Sequence, residues 1–349
     1  MTPSKLPVRK ARGNGTQLVA RESGLPAGVS VVVPVYNSAS TLPQLVDRLV
    51  GVLTGVASAW EIILVDDASR DSSWQVIQSI AGRRRDVRGL SLMKNYGQHN
   101  ALLAGIRHAT YAITITLDDD LQNPPEEIPK ILGLLEEGYD LVYGYATQQH
   151  YSRARGIVTY LTKLCLRYIV GLTLAEYISS YRAFRTNLRE AFATFSGPFV
   201  SLDMLLAWGT DRVGSIPVAH DVRQHGRSQY SVWRLLRHTI DVVTVYSMRP
   251  LQLASWLGFV VTAFGVGLLG FVLIAYATGS PVHGFTFLAS IVLFFSGCQL
   301  LVLGVFGEYL AHSHFRALGR PAYIVRSELS STLKRPGVPE VASREGLGD

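Results

Sequence analysis

Three consecutive carboxylates, Asp118, Asp119 and Asp120, end a short β-forming, apolar run from Ile113 to Leu117. Gln122 follows, and Pro124-Pro125 then opens a new helical stretch. Adjacent carboxylates repel one another, so such a group is costly to hold together without a cation. Its hard oxygens suit Mg²⁺ or Mn²⁺ and not zinc. The alternative is an acidic loop that caps the next helix N-terminus. Asp66-Asp67 closes the run Glu61 to Val65 (EIILV), and Tyr36-Asn37 closes the run Val29 to Val35 (VSVVVPV). A lone carboxylate such as Asp66 can accept from an N–H of a nucleotide base or cap a helix, while a metal held by Asp118 and Asp120 would neutralise a diphosphate.

The elements that must position these groups repeat. Continuous β-branched runs at Val29–Val35 and Glu61–Val65 are those of strands buried on both faces. Leu90 to Met93, Ile113 to Leu117 and Tyr139 to Tyr145 read as further strands. Helices are expected at about Ala39–Leu53 (with Ser38 or Ser40 as N-cap), from Ser72, at Gln98–Ala109 and at Pro125–Glu137. Strand, polar loop and helix repeated four times predict an α/β fold with a mostly parallel sheet. In such a sheet, functional groups gather at the strands' C-terminal ends: Pro34, Tyr36 and Asn37 from the first, Asp66 and Asp67 from the second, the Asp triplet from the fourth. No GxGxxG follows the first strand and no GxxxxGK[ST] occurs, which argues against a nicotinamide site and a P-loop.

The chain is long enough for one large domain or two ordinary ones. Its 48% hydrophobic content and mean hydropathy of +0.21 are concentrated. Leu251–Thr278 and Gly284–Gly307 contain no Asp, Glu, Lys or Arg, and each exceeds the roughly 20 residues that cross a bilayer core. Only Gly279 to His283 separates them, so a two-helix transmembrane hairpin is expected. Arg234, Arg237 and Arg249 precede it, Arg316, Arg320 and Arg326 follow it, and the turn has no Lys or Arg. Both termini should therefore be cytoplasmic, in a multi-pass protein of the cell inner membrane. Met1 to Gly28 has no apolar core and is no signal peptide. With five basic residues against Glu22 alone, it reads as a disordered basic tail attracted to anionic lipid, not nucleic acid. The two cysteines, Cys165 and Cys298, have no metal-site spacing and fit a reducing compartment. Ser231 to Met248 spaces apolar residues near i, i+3/i+4, as an amphipathic interfacial helix would; packing on the catalytic domain is the alternative. The organisation expected is a tail (1–28), a catalytic domain (29–230), an interfacial helix (231–249), the hairpin (250–312) and a cytoplasmic tail (313–349).

VVPVYNSASTL, ILVDDASRDSS, NYGQHNALLAG and LDDDLQNPPEEIP resemble the successive motifs of glycosyltransferase family 2, with its GT-A type nucleotide-sugar-binding domain. SSYRAFR (Ser179 to Arg185), RQHGRSQYSVWRLL (Arg223 to Leu236) and a hairpin ending GEYL (Gly307 to Leu310) are similar to its polyprenyl-phosphate branch. The resemblance covers about Val29 to Val325. It implies Pro34, Tyr36 and Asp66 in a nucleoside pocket and Asp118, Asp120 and Gln122 at the metal (Mg²⁺ or Mn²⁺) and diphosphate. It also implies Arg182 at the acceptor phosphate, and Arg223 and Ser228 on a loop closing over the phosphates. Asp118, Asp120 and Gln122 alternate, so in an extended segment they point one way and Asp119, in a slot usually filled by Ala, points another.

The implied reaction is inverting transfer of a sugar from a UDP- or GDP-linked donor to a polyprenyl phosphate, in cell-envelope assembly. A non-phosphorylated lipid or polysaccharide acceptor is the alternative. A catalytically dead relative acting as a scaffold, or as partner to a lipid-linked-sugar flippase, is the third reading. Gly265, Gly267 and Gly270 would suit self-association of the spans. The chain departs from the family pattern in three places. Gly144 is followed by no early Arg or Lys, Arg153 and Arg155 being the nearest. Gln229 stands where a Lys is usual. Glu176 and Ser179 replace the usual Asp and Gly.

Overall fold

The computed structural model describes residues 28–146, 177–197, 199–221, 243–278 and 284–329. Strand β1 (Val29–Val35) is buried at every position, as its unbroken β-branched run requires. After it come α1 (Leu42–Val56), β2 (Trp60–Asp66), α2 (Ser73–Arg83), β3 (Val87–Leu92), α3 (Gln98–His108) and β4 (Ile113–Thr116). Helix α1 starts at Thr41 instead of Ser38 or Ser40, with a proline in its first turn. Its buried Leu42, Leu45, Val46, Leu49 and Leu53 recur at i, i+3/i+4 and face the sheet. A single 3₁₀ turn, Pro125–Glu127, leads into α4 (Ile128–Glu136), and β5 (Leu141–Ala146) follows.

The second half of the domain is shorter in its elements. It contains β6 (Arg182–Arg185), a 3₁₀ stretch Thr186–Phe192, α5 (Leu202–Ala207) and β7 (Val213–Val218). Among the described residues one sheet has the order β7-β5-β6-β4-β1-β2-β3, with an eighth strand beyond β3. β1, β2, β3 and β4 are mutually parallel, and β6 runs antiparallel between β4 and β5. Strand order reverses at β1: β2 and β3 were added on one side, β4 on the other. That reversal opens a crevice outside the carboxyl ends of β1 and β4, where α/β sheets bind ligands. Two apolar layers pack the sheet, one under α1 and α4, one under α3 and α5. Gly105 lets α3 approach closely, because a Cβ there would lie 2.3 Å from Val32 Cγ1 and 3.0 Å from Val65 Cγ2.

Two helices, α6 (Arg249–Ala277) and α7 (Phe285–Ala317), are long and apolar enough to cross a membrane. At 29 and 33 residues they span roughly 43 and 50 Å, against a hydrocarbon core of about 30 Å. Their apolar side chains, among them Phe259, Phe264, Phe271, Leu300 and Leu303, are exposed, which water would not tolerate over so large a surface. The last turns of α7 run past Gly307, and there they touch the domain: Tyr309 Oη donates to the Ser247 carbonyl at 2.5 Å, and Phe199 packs edge-on against His312.

The chain then returns to the sheet. Within the segment expected as a cytoplasmic tail, Val325–Leu329 forms β8, antiparallel to β3 at the sheet edge. Arg88 secures it, reaching Glu328 Oε1 at 2.7 Å and the buried Glu61 at 3.0 Å. Of the expected interfacial helix, 231–242 lies outside the described residues. The remainder packs on the domain, with Tyr246 Oη accepting from Ser201 N at 3.0 Å.

Candidate active site

β4 ends at Thr116, and the chain turns through Asp119 and Asp120 before Leu121 adopts φ 63°. The turn cancels the alternation expected of an extended segment. Asp118, Asp119, Asp120 and Gln122 all line one cleft of about 420 Å³ at the β1/β4 reversal. Pro34, Val35 and Tyr36 from the end of β1 and Asp67 from the end of β2 form another wall. Asn95 and Gly97 from the β3–α3 loop and Gln98, the first residue of α3, complete it.

Each carboxylate has a separate task. Asp118 is oriented from two sides, by Gln98 Nε2 on Oδ1 at 2.6 Å and Ser180 Oγ on Oδ2 at 2.5 Å. Asp120 Oδ1 accepts from Gln122 N at 3.1 Å, which folds the turn. Asp119 does not point away from the cleft. Its Oδ2 accepts from Tyr36 N at 3.1 Å and its carbonyl from Thr41 Oγ1 at 2.8 Å, tying the β1–α1 loop to the end of β4. Burial pushes its carboxyl up to about 6, against hydrogen bonds from Ser38 and Tyr36 and with help from the neighbouring Asp118 and Asp120 charges.

The second-strand pair divides likewise. Asp67 lines the cleft and accepts from Tyr96 N at 2.7 Å and Gly97 N at 2.8 Å, so it shapes the β3–α3 loop. Burial raises its pKa, and those two bonds oppose the rise. Asp66, expected to read a base, is buried at 2% exposure and accepts from Ser69 N at 3.2 Å. It is absent from the cleft lining because it braces the β2–α2 turn. Asn37 is also turned from the cleft: at φ 55° its Oδ1 accepts from Arg70 N at 2.7 Å.

Arg182 is held in the interior. Its side chain is 2% exposed and does not line the cleft. Its guanidinium pairs with Asp203, and Nε donates to Thr116 Oγ1 at 3.1 Å. Tyr143 Oη donates to the same Asp203 oxygen at 2.9 Å, and burial holds that phenol's pKa well up. The Arg182 charge is thus already matched in the interior by Asp203. Arg182 locks β6 onto β4, where Thr116 Oγ1 also donates to the Ser180 carbonyl at 2.8 Å, and Ser180 touches Asp118. Asp203 and Ser180 escaped the sequence reading. A signal existed for Asp203: a carboxylate inside the apolar run Leu202–Ala207 must find a buried partner. Arg223, Ser228, Gln229, Arg153, Arg155 and Glu176 lie outside the described residues.

Among the described residues no three His, Cys, Asp or Glu form a closed metal cage. Two carboxylates and the Gln122 amide on one cleft nonetheless fit Mg²⁺ or Mn²⁺, which take one or two protein carboxylates and fill the remaining positions with phosphate and water.

Glycosyl transferase family 2 matches residues 30–193 of the chain. The undecaprenyl-phosphate 4-deoxy-4-formamido-L-arabinose transferase of Pseudomonas aeruginosa (strain LESB58) is 35% identical over 331 residues, 90% of this chain and 96% of that one. The chain belongs to glycosyltransferase family 2. Enzymes of the same description from Shewanella sediminis and Salmonella paratyphi A are 34% and 33% identical to this transferase, covering 86% and 85% of it and 92% of each relative. Among solved structures, the Mycobacterium tuberculosis glucosyl-3-phosphoglycerate synthase in complex with Mn²⁺ and UDP-glucose is 20% identical. It covers 62% of the transferase and 77% of its own chain, with a TM-score of 0.47. The transferase's own strand order is that of a GT-A-like α/β fold, its mixed sheet mostly parallel, with two long apolar helices after it.

Proposed function

We propose that this transferase moves a sugar from a UDP- or GDP-linked donor onto undecaprenyl phosphate, on the cytoplasmic face of the inner membrane. The observation that carries the reading is the carboxylate cleft at the β1/β4 reversal, on a sheet that the chain rejoins after an apolar hairpin. Relatives that match over most of their length, hairpin included, act on undecaprenyl phosphate by their description. The basic residues flanking the hairpin and the lack of any in its turn support a cytoplasmic domain.

The cleft's residues divide the work. Asp118, Asp120 and Gln122 would hold a divalent cation, which supplies Lewis-acid stabilisation of the departing diphosphate. Gln98 and Ser180 fix the Asp118 carboxylate from both sides, so little reorganisation is left for the reaction. Pro34, Tyr36 and Asp67 form the nucleoside side of the cleft, and Asp119 holds the Tyr36 loop against the metal turn. Arg223 and Ser228 are the candidates for sharing charge on the phosphates.

The acceptor needs little activation. A phosphate monoester has its second pKa near 6, so it is largely dianionic at cytoplasmic pH and already nucleophilic. Orientation beside the donor then does most of what remains. Attack opposite the diphosphate inverts the anomeric centre; an α-linked product from an α-linked donor would contradict this.

Purified full-length protein with labelled nucleotide sugars, Mn²⁺ or Mg²⁺ and undecaprenyl phosphate should yield organic-extractable label. Label transfer that does not depend on the polyprenyl phosphate would favour the non-phosphorylated acceptor. No turnover with any donor would favour a non-catalytic role.

A further inference from the structure

The β3–α3 loop gives the cleft Asn95 and Gly97 and leads into Gln98 at the start of α3, and it is gripped from two sides. On the cleft side, both Asp67 oxygens take its main-chain N–H groups. On the outer side, the grip comes from the far end of the chain. Met93 N donates to the Ile324 carbonyl at 2.9 Å. The Arg326 guanidinium donates to the Met93 carbonyl, also at 2.9 Å and across 233 positions. Both polar main-chain groups of Met93 are therefore met by residues that follow the second membrane helix.

Further contacts pack around this one. The β3–β8 register shifts between Ser91 and Leu92, an irregularity of the kind that re-aims a strand end. Ala322 is buried against the α3 layer, and Tyr323 lies under the Arg107 guanidinium at 5.7 Å. The connection from the end of α7 is short, turning at Gly319 with φ 61°. A continuous path thus runs from α7 through Tyr323 and Arg326 to Met93, then to Gln98, whose amide holds Asp118.

We infer that the strand after the membrane hairpin is a positioning element for donor binding, with Arg326 as a positioning residue that holds the β3–α3 loop in its cleft-lining conformation. The inference rests on the cleft being the donor pocket. It adds that donor affinity depends on residues beyond the membrane spans. Arg326 touches no reacting group and acts only through Met93.

Binding of labelled UDP and GDP with Mn²⁺ to the full chain in detergent micelles tests it, alongside KM for the nucleotide sugar and for undecaprenyl phosphate. Arg326→Ala removes one exposed hydrogen bond, so nucleotide affinity should fall roughly two- to tenfold. KM for the polyprenyl phosphate and the melting temperature should hold, and Arg326→Lys should restore binding. Ending the chain after Tyr323 should weaken binding further, whereas ending it after Leu329 should not. Unchanged nucleotide binding in Arg326→Ala would overturn the inference, and that variant alone decides if the shorter chain does not fold. Wild-type protein that binds neither nucleotide would instead refute the donor-pocket reading on which the inference rests.

Discussion

Asp203→Ala separates an architectural Arg182 from a chemical one. The substitution leaves the Arg182 guanidinium at 2% exposure without its counter-charge, and it removes the acceptor of the Tyr143 hydroxyl. Breaking a buried pair by deleting one partner costs about 3–5 kcal/mol. The orphaned phenol adds to this, but less than additively, because both groups share one Asp203 oxygen. At roughly 2–4 °C per kcal/mol for a domain of this size, the melting temperature should fall by roughly 6–20 °C. Replacing both partners with apolar residues, Arg182→Met with Asp203→Leu, removes the charge and its partner together. That double variant should recover most of the loss and retain transfer. Thermal denaturation of the detergent-purified full chain, run beside the transfer assay, reads both quantities. The reasoning fails if Asp203→Ala melts within about 2 °C of wild type while transfer disappears, since Asp203 would then act on the reacting groups.

Other expectations rest on separate contacts. Asp119, raised to about 6 in the fold from an ordinary 3.8, binds its proton more tightly folded than unfolded, so its ionisation opposes folding. Without divalent cation, Asp119→Asn should gain on wild type as pH rises from roughly 4 to 6.5, by up to about 3 kcal/mol, and Mn²⁺ should narrow the gap. Melting curves across that range check it, and a gap that widens toward low pH would contradict it. Gly105→Ala should lower stability by about 1–3 kcal/mol through overpacking against Val32, despite alanine's better helix propensity. A melting temperature at or above wild type would show that α3 can move away from the sheet. Asp119→Ala should retain more transfer than Asp120→Ala, because Asp119 acts through the Tyr36 loop; equal loss would place Asp119 among the metal ligands.

The first half of the fold was legible because its strands are buried on both faces. An unbroken run such as VSVVVPV leaves little choice of element, and the strand ends then locate the acids. The later strands carry no such mark. β6 is four residues with an arginine at each end, and β7 contains Pro217, tolerated at a sheet edge. β8 alternates half-buried and exposed positions, and its partner lies on the other side of two long apolar helices in the sequence. The same limit applies within the site. That Asp118, Asp120 and Gln122 share one cleft was readable from type and spacing. The interior pairing of Arg182 was not, because Asp203 and Thr116 reach it only through tertiary packing. The turn at Asp119–Asp120 shows why alternation misled: it holds for a strand, and β4 had already ended at Thr116.

The central claim is that this cleft transfers a sugar to a polyprenyl phosphate. Mass analysis of lipid extracted after incubating full-length protein with nucleotide sugars, Mn²⁺ and undecaprenyl phosphate tests it most directly. Wild type should produce undecaprenyl phosphate heavier by one sugar residue, and Asp120→Asn or chelation of the cation should abolish that species while the protein stays folded. An undiminished product from folded Asp120→Asn, or sugar recovered on a lipid without phosphate, would contradict the account.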